Sequence, residues 1–265
     1  DGAQDRGPRV DDRSGRREGV VDPFAPVPGQ AINSQAGRPV SDADLRRGQD
    51  GERQRRLDRS VQDELIARQR QQGYQYNQYL GTQERAAQQR SQYLQQQNRR
   101  SQYAYQQRYY DLLRQQRNRY GSNYYQSYNY YNDPYYYTAP SYQYYRGGNY
   151  YPINNYGADL LRQAVNYGYR EGIRAGQADR MDDWRFDYRS SFAYEDANYG
   201  YRGMYVSRSE YNYYFRQGFR RGYEDGYYGR RQYGRQYNGN NTILSTVLSL
   251  ILNLQPYNQG YYNRY

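Results

Sequence analysis

Two pairs of adjacent carboxylates, Asp182-Asp183 and Glu195-Asp196, are the residues of this chain whose types best suit acid–base chemistry. A general acid and its base need a sheltered cleft that drives their pKa values apart. Both pairs lie near arginines in polar spacers, so they are expected to be solvated or arginine-paired. The 265 residues include no Cys and no His, which removes thiol catalysis, disulfides and the usual zinc, haem and iron–sulfur ligands. A calcium loop would need spaced Asp, Asn and Gly, and that pattern is missing. Glycines recur at helical spacing with no buried strand before them, so a phosphate-cradling loop is not expected either. The sequence therefore predicts no enzyme, no cofactor and no metal.

What remains is the chemistry of tyrosine and arginine. There are 42 Tyr, and the 38 basic residues are all Arg. Tyr offers a large apolar ring with a polar handle. Arg stacks on such rings and is less strongly hydrated than an ammonium; each exposed pair is worth about 0.5–1 kcal/mol. The net charge of +11 and the interleaved rings are also what single-strand nucleic-acid binders use. Against that reading, 27 acidic residues are interspersed with the arginines, which suggests self-complementary pairing, and no nucleic-acid module is recognisable. Attachment to polysaccharide or envelope surfaces is a further option, because tyrosine platforms also stack on sugar rings.

The chain divides by composition. Only 36% of residues are apolar, Tyr included, and the mean hydropathy is −1.41, so aliphatic burial cannot offset the ordering entropy of most of the chain. Residues 1–40, punctuated by Pro23, Pro26, Pro28 and Pro39, predict an extended charged arm. Residues 41–120 predict a long Gln/Arg-rich helical region, opened by Ser41 and Asp44. Its narrow apolar stripe runs through Leu57, Val61 and Leu65, then Leu80, Ala87 and Leu94. Gly48, Gly51, Gly73 and Gly81 interrupt it. Residues 121–153 are dense in tyrosine, including Tyr135, Tyr136, Tyr137, Tyr144 and Tyr145. Pro134, Pro140 and Pro152 argue there for an extended linker with little or no sheet.

Residues 154–239 hold the most specific pattern. Two segments match at an offset of 46, Tyr169 to Gly176 with Asp179, and Phe215 to Gly222 with Asp225. Gly168, Gly172 and Gly176 form one four-spaced triplet; Gly218, Gly222 and Gly226 form the other. Each mid-helix glycine costs about 1 kcal/mol, so a ridge of three implies that another backbone or a ring lies directly on it. Helices over 155–182 and 209–228, the second capped by Ser209, should pack through these ridges. An aromatic segment with Trp184, Phe186, Phe192 and Tyr194 joins them. Residues 241–254 place Thr242, Thr246, Ser249 and Asn253 on one line of a short apolar helix. Val247, Leu248, Ile251 and Leu254 would then be buried against a neighbouring subunit, or against the chain's own glycine-faced helices. Residues 240–265 are read as that helix plus a tyrosine-rich tail.

The pattern Gly168-Tyr169, Gly172, Gly176 and Asp179-Arg180, followed by Phe215-Arg216, Gly218-Phe219 and Gly222-Tyr223, resembles a group of uncharacterised exported proteins of Acidobacteria and similar soil bacteria. Their spacer carries Lys and His, which this sequence lacks. The resemblance implies bacterial origin and export, and it brings no activity or catalytic residues. The chain starts at Asp1 without an initiator Met, and the expectation is an exported protein whose signal peptide has been removed. No run is long enough to span a membrane.

Together these readings predict a mainly α protein, a homopolymeric subunit of an extracellular fibre or matrix. Tyr135, Tyr136, Tyr137, Tyr144, Tyr145 and the C-terminal apolar helix would supply contacts between subunits. The alternative is a protein that uses Arg and stacked Tyr to bind single-stranded nucleic acid or polysaccharide and envelope; as partners after the chain itself, glycans or the cell envelope rank ahead of nucleic acid.

Overall fold

The computed structural model describes residues 56–237 and 240–257; the arm over 1–40, the Ser41–Asp44 cap and the end of the tail lie outside them. The architecture is mainly α with two small antiparallel sheets. Helices α1 (Arg59–Gln96) and α2 (Arg100–Arg119) form a hairpin, turned at Asn98 with a left-handed φ of 55°. The two run antiparallel. Gln106 Nε2 donates to Ala87 O at 2.9 Å near the turn, and Gln116 Nε2 donates to the Tyr76 hydroxyl further from it.

The buried face of α1 differs from the aliphatic stripe. Ile66, Tyr76, Leu80, Ala87 and Leu94 are buried, but so are Gln62 and Gln69, whereas Val61 is exposed. The reason is hydrogen bonding. Gln62 Nε2 donates to Leu57 O at 2.7 Å, and Gln69 Oε1 accepts Tyr205 N–H at 2.8 Å. Gln69 has both ends of its amide paired and Gln62 its donor end, and a paired buried amide costs little, so glutamine takes positions that hydropathy assigns to the surface. Gly73 has its own explanation: a Cβ there would sit 2.4 Å from the Tyr125 ring.

Residues 121–153 are not an extended linker. They fold as α3 (Ser122–Ser127), a 3-10 turn (Tyr130–Asn132), α4 (Pro134–Tyr137) and the hairpin of β1 (Tyr142–Arg146) with β2 (Asn149–Ile153). Pro134 occupies the first helical position, where its missing N–H is not needed, and Asp133 caps that turn by accepting Tyr135 N–H at 3.0 Å. Gly147 and Gly148 supply the two positive φ angles of the tight hairpin. Tyr125, Tyr130, Tyr136, Tyr142 and Tyr144 of this stretch are buried.

Helix α5 (Asn155–Met181) is capped by Asn154, whose Oδ1 accepts Gly157 N–H at 3.0 Å. Helix α7 (Arg208–Tyr228) is capped by Ser207, two residues before the Ser209 that the sequence suggested. A crossover containing α6 (Phe192–Asp196) lets α7 lie parallel to α5. Strands β3 (Gly234–Tyr237) and β4 (Asn240–Ile243) then form a hairpin, so the first residues of the expected C-terminal helix are strand. Helix α8 (Ser245–Leu252) follows and packs on α5 and α7. Strand β5 (Gln255–Pro256) joins β1, giving the order β2-β1-β5. The described residues belong to one compact unit. No helix among them is long and apolar enough to cross a membrane.

Candidate functional site

The glycine triplets form the tightest contact in the fold. A Cβ on Gly168 would lie 1.9 Å from Phe215 O, on Gly172 2.1 Å from Phe219 O, and on Gly176 2.2 Å from Tyr223 O. The reverse contacts mirror these: Gly218 meets Val165 O, Gly222 meets Tyr169 O, and Gly226 meets Ile173 O, at 2.0, 1.9 and 2.2 Å. Gly168 thus corresponds to Gly218, Gly172 to Gly222 and Gly176 to Gly226, a register of 50. The sequence match at 46 is one helical turn away from this packing register. Beside the ridge, Tyr211, Phe215, Phe219, Tyr223 and Tyr227 form a ladder on α7, with successive ring centroids 6.1–6.5 Å apart.

Around this pair the fold buries acids and satisfies them with phenols. Asp196 was expected to be solvated or arginine-paired, but it is buried. It accepts the Tyr109 hydroxyl at 2.7 Å, the Tyr79 hydroxyl at 3.0 Å and Asn198 N–H at 3.0 Å. Burial pushes its pKa up, and these donors oppose the rise. Asp225 accepts the Tyr169 hydroxyl at 2.8 Å, with Gln232 N–H at 2.9 Å and Tyr233 N–H at 3.0 Å. Asp179 accepts the Tyr223 hydroxyl and pairs with buried Arg99, whose guanidinium lies over Trp184; burial raises its pKa too. Asp133 accepts the Tyr128 and Tyr205 hydroxyls, and burial pushes the Tyr205 phenol up to about 12. Glu171, fully buried, takes Arg108 at 3.1 Å and Arg174 at 2.5 Å. Two other members of the expected acid pairs hold structure as well. Asp182 accepts Ser101 and Gln102 N–H at the start of α2, both at 2.8 Å, and Glu195 pairs with Arg90. Sequence reasoning missed these phenol–carboxylate nodes, although matched Asp179 and Asp225 were a signal.

Several residues assigned to contacts between subunits lie inside the chain. Tyr136, Tyr144, Leu248 and Leu254 are buried, which corrects that assignment: their surfaces are already covered by the same molecule. Tyr135 is partly buried, stacked on Tyr205 at 4.3 Å. Tyr137 sits under Arg56 at 4.9 Å, and Tyr145 faces Tyr150 at 5.2 Å. Val247 and Ile251 are partly buried, and Leu250 between them is 65% exposed. Tyrosine–arginine contacts also occur within the chain, with Arg208 3.7 Å from the Tyr79 ring centroid and Arg59 3.9 Å from that of Tyr131.

Exposure is unequal by charge. Among the described residues, the buried charged ones are Asp133, Glu171, Asp179, Asp196 and Asp225 on one side and Arg99 alone on the other. Folding therefore withdraws more acids than arginines, and it leaves Tyr74, Tyr93, Tyr131, Tyr150, Tyr151 and Tyr228 exposed, three of them with an arginine over the ring, Arg90 on Tyr93, Arg59 on Tyr131 and Arg230 on Tyr228. Such a surface attracts polyanions and offers rings for stacking. Comparison with protein families, curated proteins and solved structures finds no match to the chain.

Proposed function

We propose that this protein is an exported bacterial structural protein of the extracellular matrix or cell envelope, holding anionic polymer through surface arginine and tyrosine. The supporting observation is the unequal burial of charge: among the described residues, five carboxylates are inside and one arginine is. The interspersed acids that suggested self-complementary pairing between subunits are in part spent on internal tyrosines and arginines. They leave a surface more cationic than the sequence pattern implies. Self-association has narrower support, from exposed Leu250 with its neighbours on α8. The β2 edge is a poor polymerisation site, because Pro152 lacks one backbone donor.

Co-sedimentation with insoluble polygalacturonate and with cellulose tests the reading. Retention on polygalacturonate at about 20 mM salt, released by about 0.5 M as exposed charges are screened, is the expected result. Failure to bind the acidic polymer at low salt, or equal binding to cellulose, would contradict it.

A further inference from the structure

A groove of about 420 Å³ opens between α1 and α3, within the size range of small-ligand sites. Arg70, Tyr74 and Asn77 line it from α1, at positions that share one helix face; Tyr125 and Gln126 line it from α3. The Tyr125 ring lies on Gly73, where no side chain fits, and its hydroxyl donates to Arg202 O at 2.8 Å. One wall is therefore rigid. Tyr74 stands 64% exposed. Arg70 has the Tyr130 ring at 5.4 Å, and it makes no ion pair or hydrogen bond with the described residues. No carboxylate lines the groove.

We propose that this groove binds an acidic sugar, a hexuronate unit of a polysaccharide, which deepens and rests on the adhesion reading. The Tyr74 ring meets the C–H face of a pyranose. Asn77 and Gln126 each present a donor beside an acceptor, the arrangement that neighbouring hydroxyls require. Arg70 offers a planar fork to the uronate carboxylate. A nucleic-acid strand is matched less well: its phosphates repeat and need a row of cations, whereas the groove holds one arginine.

Calorimetric titration of the full chain with tetragalacturonate, cellotetraose and a four-residue oligothymidylate tests the assignment. Tetragalacturonate should bind most tightly. Tyr74→Ala should weaken it about tenfold or more with thermal stability unchanged, since that ring is outside the core. Arg70→Gln should remove most of the preference for the uronate over cellotetraose. Equal binding by the wild type and both variants would overturn the proposal, as would tighter binding of the oligothymidylate. If the tetramer does not bind but the protein still sediments with polygalacturonate at low salt, the groove is wrong and the adhesion reading stands. Loss of both would remove both.

Discussion

The hydroxyl of a buried tyrosine needs an acceptor, and a buried aspartate needs donors; this fold joins the two needs at Asp133, Asp179, Asp196 and Asp225. Each phenol keeps its proton because burial raises its pKa, and each carboxylate is held by charge-assisted bonds. Asp196 makes the consequence measurable. Its folded pKa lies above the unfolded value of 3.8, so its contribution is most favourable below that value and is lost as pH rises through the folded pKa. Asp196→Asn does not titrate. The melting temperature of this variant relative to wild type should therefore improve between about pH 4 and about pH 7; a flat or declining difference would mean that the donors, not burial, set the charge state of Asp196. Little of this was legible beforehand. Tyr109 and Asp196 are far apart in sequence, and Glu195 beside Asp196 is a surface residue paired with Arg90. Gln62 and Gln69 were hidden for a related reason, since a hydropathy pattern cannot see the backbone partners that make a buried amide acceptable.

At the scale of elements, the glycine ridge was visible because four-residue spacing of an unfavourable residue demands a contact. Its parallel orientation and its register were not, since the sequence match at 46 aligns two glycines of each triplet while packing at 50 aligns all three. Close approach and mere composition predict opposite effects of adding a methyl group. Gly222→Ala would place a Cβ 1.9 Å from Tyr169 O, a clash with backbone that cannot rotate away. It should destabilise the protein by about 3 kcal/mol or more. Gly81→Ala on α1 has no atom within 4 Å of the new Cβ, and should stabilise by up to about 1 kcal/mol through helix propensity. Chemical denaturation of the two variants checks both signs. The expected helix over 241–254 failed at its start, because Asn240–Ile243 pairs with Gly234–Tyr237. Hairpin pairing with the segment just before it overrides the helical pattern there.

For the whole molecule, low aliphatic content was a sound observation that led to the wrong interior. Tyrosine supplies the core that leucine and valine do not: Tyr109, Tyr130, Tyr136, Tyr169, Tyr201, Tyr211, Tyr214 and Tyr223 are among the largest fully buried side chains. A phenol can be buried when its hydroxyl finds a partner, and here carbonyls and carboxylates of the same chain supply many of them. Such a core has a characteristic weakness. Each buried phenol that ionises only on unfolding removes about 1.4 kcal/mol per pH unit above its free pKa near 10, and many must ionise together. Tyrosinate absorbance followed through an alkaline titration, at two protein concentrations about a hundredfold apart, measures this directly. Rings at the surface should ionise near pH 10, and the buried ones in one cooperative step at a higher pH that dilution does not move. A smooth titration of all the tyrosines near pH 10, or protection that disappears on dilution, would place the rings outside a core of this chain and contradict the account.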